Sequence, residues 1–259
     1  MGQGPKAMNA QTPDSAFTDD LILNGRLKLR QPRKGYRAGL DAALLAAACD
    51  AADGARVLEA GCGAGAALLA AALRRPRTQF VGIERDPESL ALARANIAAN
   101  GLGERVSAAA GDVAQRFSVL SLPSFDAVMA NPPFFDDPGA IRGPAPEREG
   151  AYLADGGLEV WTRFMLKAVR EGGSVTLIHR ADRLADILAL LCQGAGSFRI
   201  RPIQPFADEA AKRVLVRAIK TGKAPLVLLP PLVLHDRDGA KHTAQVEAIL
   251  RGDAELGWT

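Results

Sequence analysis

Hydrophobic residues along the chain fall into short runs that are separated by longer amphipathic or alanine-rich stretches. The runs RVLEAG, TQFVGIE, RVSAAAGD, FDAVMANPP and GGSVTLIH are too short for helices and predict buried strands. The stretches between them, such as AGAALLAAALRR and ESLALARANIAANG, predict helices. This alternation is typical of βαβ units with parallel pairing and right-handed crossovers.

Two later runs, FRIRPIQPF and KRVLVRAIK, have no helix between them and are therefore expected to pair antiparallel. The sequence thus predicts an α/β fold with a seven-stranded, mainly parallel sheet, an antiparallel last strand and helices on both faces. Asp86 and Pro87 suit the N-cap and the first position of the helix that contains ESLALARANIAANG.

The chain is expected to form one domain over residues 19–259, preceded by a flexible polar tail at 1–18. Residues 19–53 predict a hairpin, LILNGRLKLRQPRKGYR, and a helix, AGLDAALLAAACDAA, which the Asp53-Gly54 turn closes. The core is assigned to 54–220, and a C-terminal extension of strand and helix to 221–259.

Composition narrows the class of protein without identifying it. Hydrophobic residues make up 48% of the 259 residues and aromatic residues 5%, so the core is expected to contain many small side chains. The net charge of +3 does not by itself indicate nucleic-acid binding. Neither a signal peptide nor an apolar run of roughly 20 residues is visible, which predicts a cytoplasmic protein with no membrane partner. Cys49, Cys62 and Cys192 lack CxxC spacing and the histidines are scattered, so no metal site is expected.

A glycine-rich loop follows the first strand, at the sheet edge where parallel α/β folds bind ligands. It reads Glu59-Ala60-Gly61-Cys62-Gly63-Ala64-Gly65 and leads into a helix N-terminus. Its glycines allow the backbone to approach a ligand closely. An acid before GxGxG disfavours the pyrophosphate of a dinucleotide but can hold the ammonium of an amino acid. The loop therefore favours S-adenosylmethionine over NAD.

Two more acids end the next two strands. Glu84 ends the second strand about 20 residues beyond the loop, where a carboxylate can accept hydrogen bonds from both ribose hydroxyls. Asp112 follows Gly111 after the third strand and can accept from an adenine amino group. Each alone is compatible with an ordinary solvated carboxylate. With Glu59 they describe a nucleoside that carries an amino-acid tail.

The fourth strand runs into Asn131-Pro132-Pro133-Phe134. The prolines fix the backbone and remove two amide donors, so that nearby carbonyls remain available as acceptors. The lone pair of an exocyclic amino nitrogen is delocalised into its ring. The Asn131 side-chain oxygen and the Pro132 carbonyl would accept hydrogen bonds from the amino group. These bonds favour a tetrahedral nitrogen that can attack a methyl sulfonium. Phe134 could stack on the base, which is worth roughly 1–3 kcal/mol; taken alone, the motif also fits a plain strand-ending turn.

Together these motifs resemble the Rossmann-like class I S-adenosylmethionine methyltransferases that methylate amino groups. The segments YRAGLDAALL, APEREGAY, KRVLVRAI and LVLHDRDGAKHTAQVEAIL are in addition similar to bacterial tRNA adenine-N6 methyltransferases that modify the adenosine beside the valine tRNA anticodon. The resemblance covers nearly all of the chain after the first 18 or so residues. It implies S-adenosylmethionine as cofactor, S-adenosylhomocysteine as product, and RNA, with tRNA favoured, as partner.

The resemblance also implies roles for individual residues. Asn131, Pro132, Pro133 and Phe134 are expected to be catalytic, and Asp41 is expected near the methionine end of the cofactor. The cofactor-binding residues that it implies are Asp41, Glu59, Ala60, Gly61, Gly63, Gly65, Glu84, Arg85, Asp112, Val113 and Asn131.

Several alternatives remain open at this point. Adenine-N6 members usually carry Tyr where this chain has Phe134, and guanine-N2 methyltransferases of rRNA often carry Phe there. Glutamine-amide protein methyltransferases share an Asn-Pro-Pro-aromatic motif, but the roughly 55 residues before the glycine loop leave little room for their usual helical domain. An intact NPPF motif argues against a non-catalytic cofactor- or RNA-binding module, and the absence of GxxG spacing argues against a dehydrogenase.

RNA contacts are expected in two segments. The basic residues between Arg26 and Arg37 could follow phosphates or could line an exposed hairpin edge. Residues 136–149, rich in Pro and Gly, predict a lid over the substrate. The residues expected to contact substrate are Arg30, Arg33, Lys34, Tyr36, Arg37, Phe135, Arg142 and Arg148.

Overall fold

The computed structural model describes residues 16–33, 37, 39–134, 157–237 and 239–259. Within these ranges the chain alternates between strands and helices from Arg56 onward, as the hydrophobic pattern predicts. The strands are β1 Phe17–Ile22, β2 Leu27–Pro32, β3 Arg56–Ala60, β4 Gln79–Glu84, β5 Val106–Ala110, β6 Phe125–Ala130, β7 Val169–Arg180, β8 Ala195–Gln204, β9 Arg213–Lys220, β10 Val227–Leu228 and β11 Leu232–Val233. The helices are α1 Leu40–Ala47, α2 Ala66–Arg74, α3 Pro87–Ala99, α4 Gly157–Ala168, α5 Leu184–Leu191 and α6 Ala244–Arg251.

A nine-stranded sheet forms the centre of the described structure, in the order β10-β8-β9-β7-β6-β3-β4-β5 with β11 beside β8. Strands β7, β6, β3, β4 and β5 lie side by side in this order and are parallel to one another. Strand β9 lies between β7 and β8 and is antiparallel to both. The seven long strands and the antiparallel last one confirm the prediction from the sequence.

Two short strands lie at the β8 edge, within residues 221–259, for which the sequence predicts a strand and a helix. Strands β10 and β11 have two residues each and pair parallel with β8. Pro225, Pro230 and Pro231 surround them. Because proline has no amide hydrogen to donate, each strand is confined to a few residues.

Helices cover both faces of the sheet. One buried cluster joins α1, α2, α3 and α6 to the hairpin of β1 and β2. The other joins α4 and α5 to the opposite face, with Phe164, Met165 and Ile187 buried. Helix α2 is rich in alanine, and this lets it pack closely against α1.

Helix α1 ends earlier than the sequence predicts. It stops at Ala47 instead of continuing to the Asp53-Gly54 turn. The Leu256 amide donates to the Ala47 carbonyl at 3.0 Å. The Trp258 indole donates to the Ala48 carbonyl at 2.8 Å. The C-terminal segment therefore satisfies the last carbonyls of the helix, which a prediction from local sequence could not include.

Helix α3 begins as predicted. Asp86 is its N-cap and accepts a hydrogen bond from the Ser89 amide at 3.0 Å, while Pro87 occupies the first helical position. The capped start fixes the direction in which the chain leaves β4. This matters because Glu84 and Arg85 lie immediately before the cap.

Two asparagines, one on α3 and one at its C-cap, attach the hairpin to this helix. Asn96, which is buried, accepts from the Arg30 amide at 2.8 Å and donates to the carbonyls of Arg30 and Ala64, both at 2.9 Å. One turn later, Asn100 makes the same pair of bonds with the Lys28 backbone. The two side chains thus bond the amides and carbonyls of alternate residues of β2, as a neighbouring strand would. Asn96 also holds the glycine loop through its bond to the Ala64 carbonyl.

We predict that Asn96→Ala destabilises the protein by about 2–4 kcal/mol, because it leaves buried backbone groups without partners. Asn100→Ala is the matched control, since Asn100 is half-buried and water can replace part of its bonding. It should cost about 1 kcal/mol. Urea unfolding measures both values, and an equal or smaller loss for Asn96→Ala would contradict the prediction.

Candidate active site

The predicted site residues lie at one edge of the sheet. Parallel pairing sets Ala60 opposite both Ile83 and Ala130, and Glu84 opposite Ala110. The segments that follow β3, β4, β5 and β6 therefore start side by side at the carboxyl ends of the strands, as expected for a ligand site in such a sheet.

The glycine loop requires glycine at three positions. Gly61, Gly63 and Gly65 all have positive φ angles, of +67°, +54° and +88°. Gly65 is the N-cap of α2, and its amide donates to the Cys62 carbonyl at 2.8 Å. Side chains with a Cβ rarely adopt this backbone. The loop thus turns sharply and directs the first amides of α2 toward the sheet edge.

Glu84 ties this loop to the next strand. Its carboxylate accepts from the Gly63 amide at 2.8 Å and from the Asp86 amide at 2.9 Å. Each carboxylate oxygen uses one acceptor position in this way and retains another. Glu84 therefore holds the loop and can still accept a hydrogen bond from a ligand.

Glu59 is a buried acid with unused bonding capacity. Its side chain is 3% exposed, and Oε2 has no hydrogen-bond partner among the described residues. Burial raises the pKa of Glu59 well above its usual range, against a smaller opposing effect of the Leu68 amide. The nearby Glu84 carboxylate raises the pKa further. A cationic ligand group would relieve both the burial and the repulsion.

Asp112 and Arg85 form the other end of the site. Asp112 accepts from the Ala114 amide at 2.9 Å, and its other oxygen lies 4.0 Å from the Arg85 guanidinium. Val113 packs against the buried hydrophobic cluster that lies between α4 and the sheet. Ala60 is buried at the end of β3. The cofactor-binding roles of these residues remain predictions.

The Asn131–Phe134 corner follows β6 and contacts residues far away in sequence. The Arg213 guanidinium lies 4.5 Å from the centre of the Phe134 ring. Arg213 also donates to Asp41 at 3.2 Å. Asp41 is therefore held beside the corner by an ion pair, whereas its expected contact with the cofactor remains a prediction. The ring of His179 meets Phe134 almost perpendicularly, with centroids 5.0 Å apart.

Sequence reasoning missed Trp161, His179 and Arg213. A Cβ at Gly61 would overlap the Trp161 ring, so this indole closes one side of the glycine loop. Arg213 lies in the segment KRVLVRAI, and His179 ends GGSVTLIH. Both positions were visible as strand boundaries, but no local spacing connects them to Phe134.

Acidic partners neutralise much of the predicted basic patch. Arg30 forms a two-point ion pair with Asp19, at 2.8 and 2.9 Å. Arg37 pairs with Asp20 at 2.7 Å. Both acids lie on β1, which the hairpin brings opposite β2. Phosphate binding by this patch therefore stays a prediction, and the ion pairs of Arg30 and Arg37 reduce the charge that is available for it.

Some predicted residues lie outside the part of the chain that the structure describes. They include the segment predicted as a lid, 136–149. The substrate residues concerned are Lys34, Tyr36, Phe135, Arg142 and Arg148.

No group of three or more His, Cys, Asp or Glu side chains in the described ranges could hold a metal ion. No helix in the same ranges has the length and apolar character needed to cross a bilayer. Cys62, between the glycines of the loop, is buried, and this burial raises the pKa of its thiol.

Known proteins similar to this chain are enzymes of one broad type. A profile of the family described as "Methyltransferase domain" matches residues 51–193, more than half of the chain. A crystal structure described as a predicted O-methyltransferase from Agrobacterium tumefaciens has 29% sequence identity and a TM-score of 0.70. The match covers 84% of this chain and 98% of that one.

Two curated relatives have more specific names. The tRNA1(Val) (adenine(37)-N6)-methyltransferase of Porphyromonas gingivalis is 30% identical over 162 residues, which is 61% of this chain and 63% of that protein. The release factor glutamine methyltransferase of Xylella fastidiosa is 30% identical over 168 residues, or 62% and 58% respectively. The chain thus matches less than two thirds of the length of either relative.

We predict that Gly61→Ala destabilises the protein more than Gly63→Ala. Both changes impose a positive φ on alanine, at a cost of about 1–3 kcal/mol. Only Gly61 has Trp161 in the way, whereas a Cβ at Gly63 would meet nothing within 4 Å. The clash should add about 1–3 kcal/mol in urea unfolding.

Combining Trp161→Ala with each of the two glycine variants identifies the origin of this difference. The difference in unfolding free energy between Gly61→Ala and Gly63→Ala should become smaller, because the overlapping ring is removed. Equal losses for Gly61→Ala and Gly63→Ala in the wild-type background would contradict the assigned contact.

Proposed function

The chain belongs to the family of methyltransferase domains, and on this basis we propose that it methylates an exocyclic amino nitrogen of an RNA base. The methyl donor is S-adenosylmethionine, and the favoured target is an adenine N6 in tRNA. The observation that carries the proposal is Glu59, a buried carboxyl group with an unpartnered oxygen beside a glycine loop.

The acids at the sheet edge fit the cofactor. S-adenosylmethionine supplies a methyl group on a positively charged sulfur, together with an amino-acid tail and a ribose. Glu59 would hold the ammonium of the tail, because a buried acid with a free oxygen is stabilised by a cation. Glu84 has the remaining acceptor positions that two ribose hydroxyls require. Asp112 lies at the next strand end, where it would accept from the adenine amino group.

The Asn131–Phe134 corner would prepare the target amino group. The Asn131 side-chain oxygen and the Pro132 carbonyl would accept its two hydrogens, which favours a tetrahedral nitrogen with an available lone pair. Positioning of this kind supplies most of the acceleration in a displacement that needs no strong base. Phe134, fixed by Arg213 and His179, would support the plane of the base.

The named relatives support two substrate classes in different degrees. The Porphyromonas gingivalis protein is named for adenine in tRNA, and the resemblance of KRVLVRAI and the C-terminal segment favours the same class. The Xylella fastidiosa protein is named for a release-factor glutamine, so a protein amide is the second candidate. A guanine N2 of rRNA is a further alternative, because Phe134 stands where adenine-N6 enzymes usually carry Tyr.

The function is tested by incubating the protein with tritium-labelled S-adenosylmethionine and, separately, total tRNA, rRNA and release factors. Label in tRNA as N6-methyladenosine supports the proposal. Label only in rRNA or only in a release factor would show that this molecule, and not tRNA, is the substrate. No label in any of them would contradict the function.

Asn131→Ala should bind S-adenosylmethionine as the wild type does but should lower kcat by about 100-fold or more. The reason is that the Asn131 side-chain oxygen is proposed to accept a hydrogen of the target amino group in the transition state. Its expected contact with the cofactor is secondary. Calorimetry and single-turnover assays separate the two effects. Turnover near the wild-type rate would refute the assigned role of the corner.

Glu59→Gln should weaken cofactor binding by about 10- to 100-fold, since a charge-assisted hydrogen bond contributes about 1.5–3 kcal/mol. The raised pKa of Glu59 adds a second expectation. A carboxyl group with a raised pKa must be ionised to pair with an ammonium, so wild-type binding should release a proton below that pKa and should strengthen as the pH rises through it.

Calorimetry in buffers of different ionisation enthalpy measures this proton release. It should disappear in Glu59→Gln and persist in Glu104→Gln, which removes an exposed acid before β5. Wild-type binding that neither releases a proton nor strengthens with rising pH across the pH range measured would contradict pairing of Glu59 with the ammonium.

A further inference from the structure

We propose that His179 is a substrate-binding residue that hydrogen-bonds the ring edge of the base whose amino group lies at the Asn131–Phe134 corner. This inference rests on the proposed function and narrows it to a heteroaromatic amine. It depends on the position of His179, on its unused nitrogens and on its neutral state.

His179 lies at the same sheet edge as the corner. Strand β7 pairs parallel with β6, with Leu177 opposite Ala130, so His179 is two residues further along β7 at the level of the corner. The His179 and Phe134 rings are 5.0 Å apart and 83° from parallel. A planar group packed against the exposed part of Phe134 therefore lies beside the imidazole.

The imidazole has no hydrogen-bond partner in the described structure. His179 is 4% exposed, and both Nδ1 and Nε2 lack a partner among the described residues. Buried polar groups are nearly always paired, and an exception calls for an explanation such as a bound ligand. A neutral imidazole offers one N–H donor and one acceptor.

The surroundings keep the ring neutral. Burial, with smaller contributions from Arg183, Arg180 and Arg213, lowers the pKa of His179 to about 4, against an opposite effect of Asp182. His179 is thus uncharged at neutral pH and does not repel a sulfonium in the site. It also cannot act as a strong base, so its role is recognition of the substrate.

A second contact fixes the ring against which the base would pack. The Arg213 guanidinium lies 4.5 Å from the Phe134 centroid and is itself held by Asp41 at 3.2 Å. Phe134 is therefore supported by Arg213 and His179 together. Such preorganised packing favours a rigid planar ligand with polar atoms on its edge.

These features distinguish a base from a side-chain amide. A purine has ring nitrogens next to its exocyclic amino group, and these can pair with a neutral imidazole. A glutamine amide also has an acceptor beside its reacting nitrogen, the carbonyl oxygen, but it has no ring to pack against Phe134. The Phe134 ring and the unpartnered nitrogens of His179 together therefore favour the base over the amide.

The test compares His179→Phe, which keeps an aromatic ring against Phe134, with His179→Gln, which restores a donor and an acceptor. His235→Phe is the matched control, because His235 packs against Phe206 and His242. S-adenosylmethionine affinity is measured by calorimetry, and kcat and KM are measured with total tRNA.

We expect His179→Phe to keep cofactor affinity and to lower kcat/KM for tRNA by about 10- to 100-fold, the loss of one hydrogen bond to a ligand. His179→Gln should recover part of this loss, and His235→Phe should match the wild type. A value for His179→Phe within about twofold of wild type overturns the proposal.

A modified substrate tests the contact directly. Once the methylated nucleotide is mapped, deazaadenosines that each lack one ring nitrogen replace it in a short RNA. One of them should reproduce the loss with wild-type protein and add nothing with His179→Phe; additive losses for every analogue overturn the contact.

Failure of the proposed function gives a different result. Wild-type protein that binds no S-adenosylmethionine removes the function and, with it, this inference. Wild-type protein that binds it but methylates only a glutamine amide leaves methyl transfer intact but overturns both the proposed substrate class and the role of His179. Methylation of tRNA that His179→Phe leaves unchanged overturns the role of His179 alone.

Discussion

The two hydrogen bonds of the Glu84 carboxylate hold the site together. One joins the glycine loop through Gly63, and the other joins the start of α3 through Asp86. The bridge acts together with the bond from the Cys62 amide to the Ile83 carbonyl and the bond from Asn96 to the Ala64 carbonyl. The glycine loop is thereby fixed relative to Glu84, and Glu59 lies near enough to Glu84 for their charges to interact.

The burial of Glu59 and its nearness to Glu84 explain why the pocket favours a cation. Burial raises the pKa of Glu59 and the Glu84 carboxylate raises it further, so a cation that pairs with Glu59 would relieve both effects. On the other side of β3, the Asn131–Phe134 corner adds neutral acceptors and an aromatic ring. The site thus combines a region suited to a cationic amino-acid tail with a region suited to a planar amine.

Much of this arrangement could be predicted from the sequence. The parallel sheet follows from the hydrophobic spacing, and the antiparallel β9 follows from the absence of a helix between β8 and β9. The capped start of α3 follows from the Asp86-Pro87 pair. The family match and the Agrobacterium tumefaciens structure support the same Rossmann-like class I methyltransferase fold. Other features depend on contacts between distant residues. Asp41 and Arg213 are 172 positions apart, and the end of α1 depends on Leu256 and Trp258.

A crystal structure of the protein with S-adenosylhomocysteine tests the central claim most directly. The amino nitrogen of the ligand should lie about 3 Å from Glu59 Oε2, and its ribose hydroxyls should bond to Glu84. A ligand bound away from these two carboxylates, or a Glu59 oxygen that remains unpartnered in the complex, would contradict it.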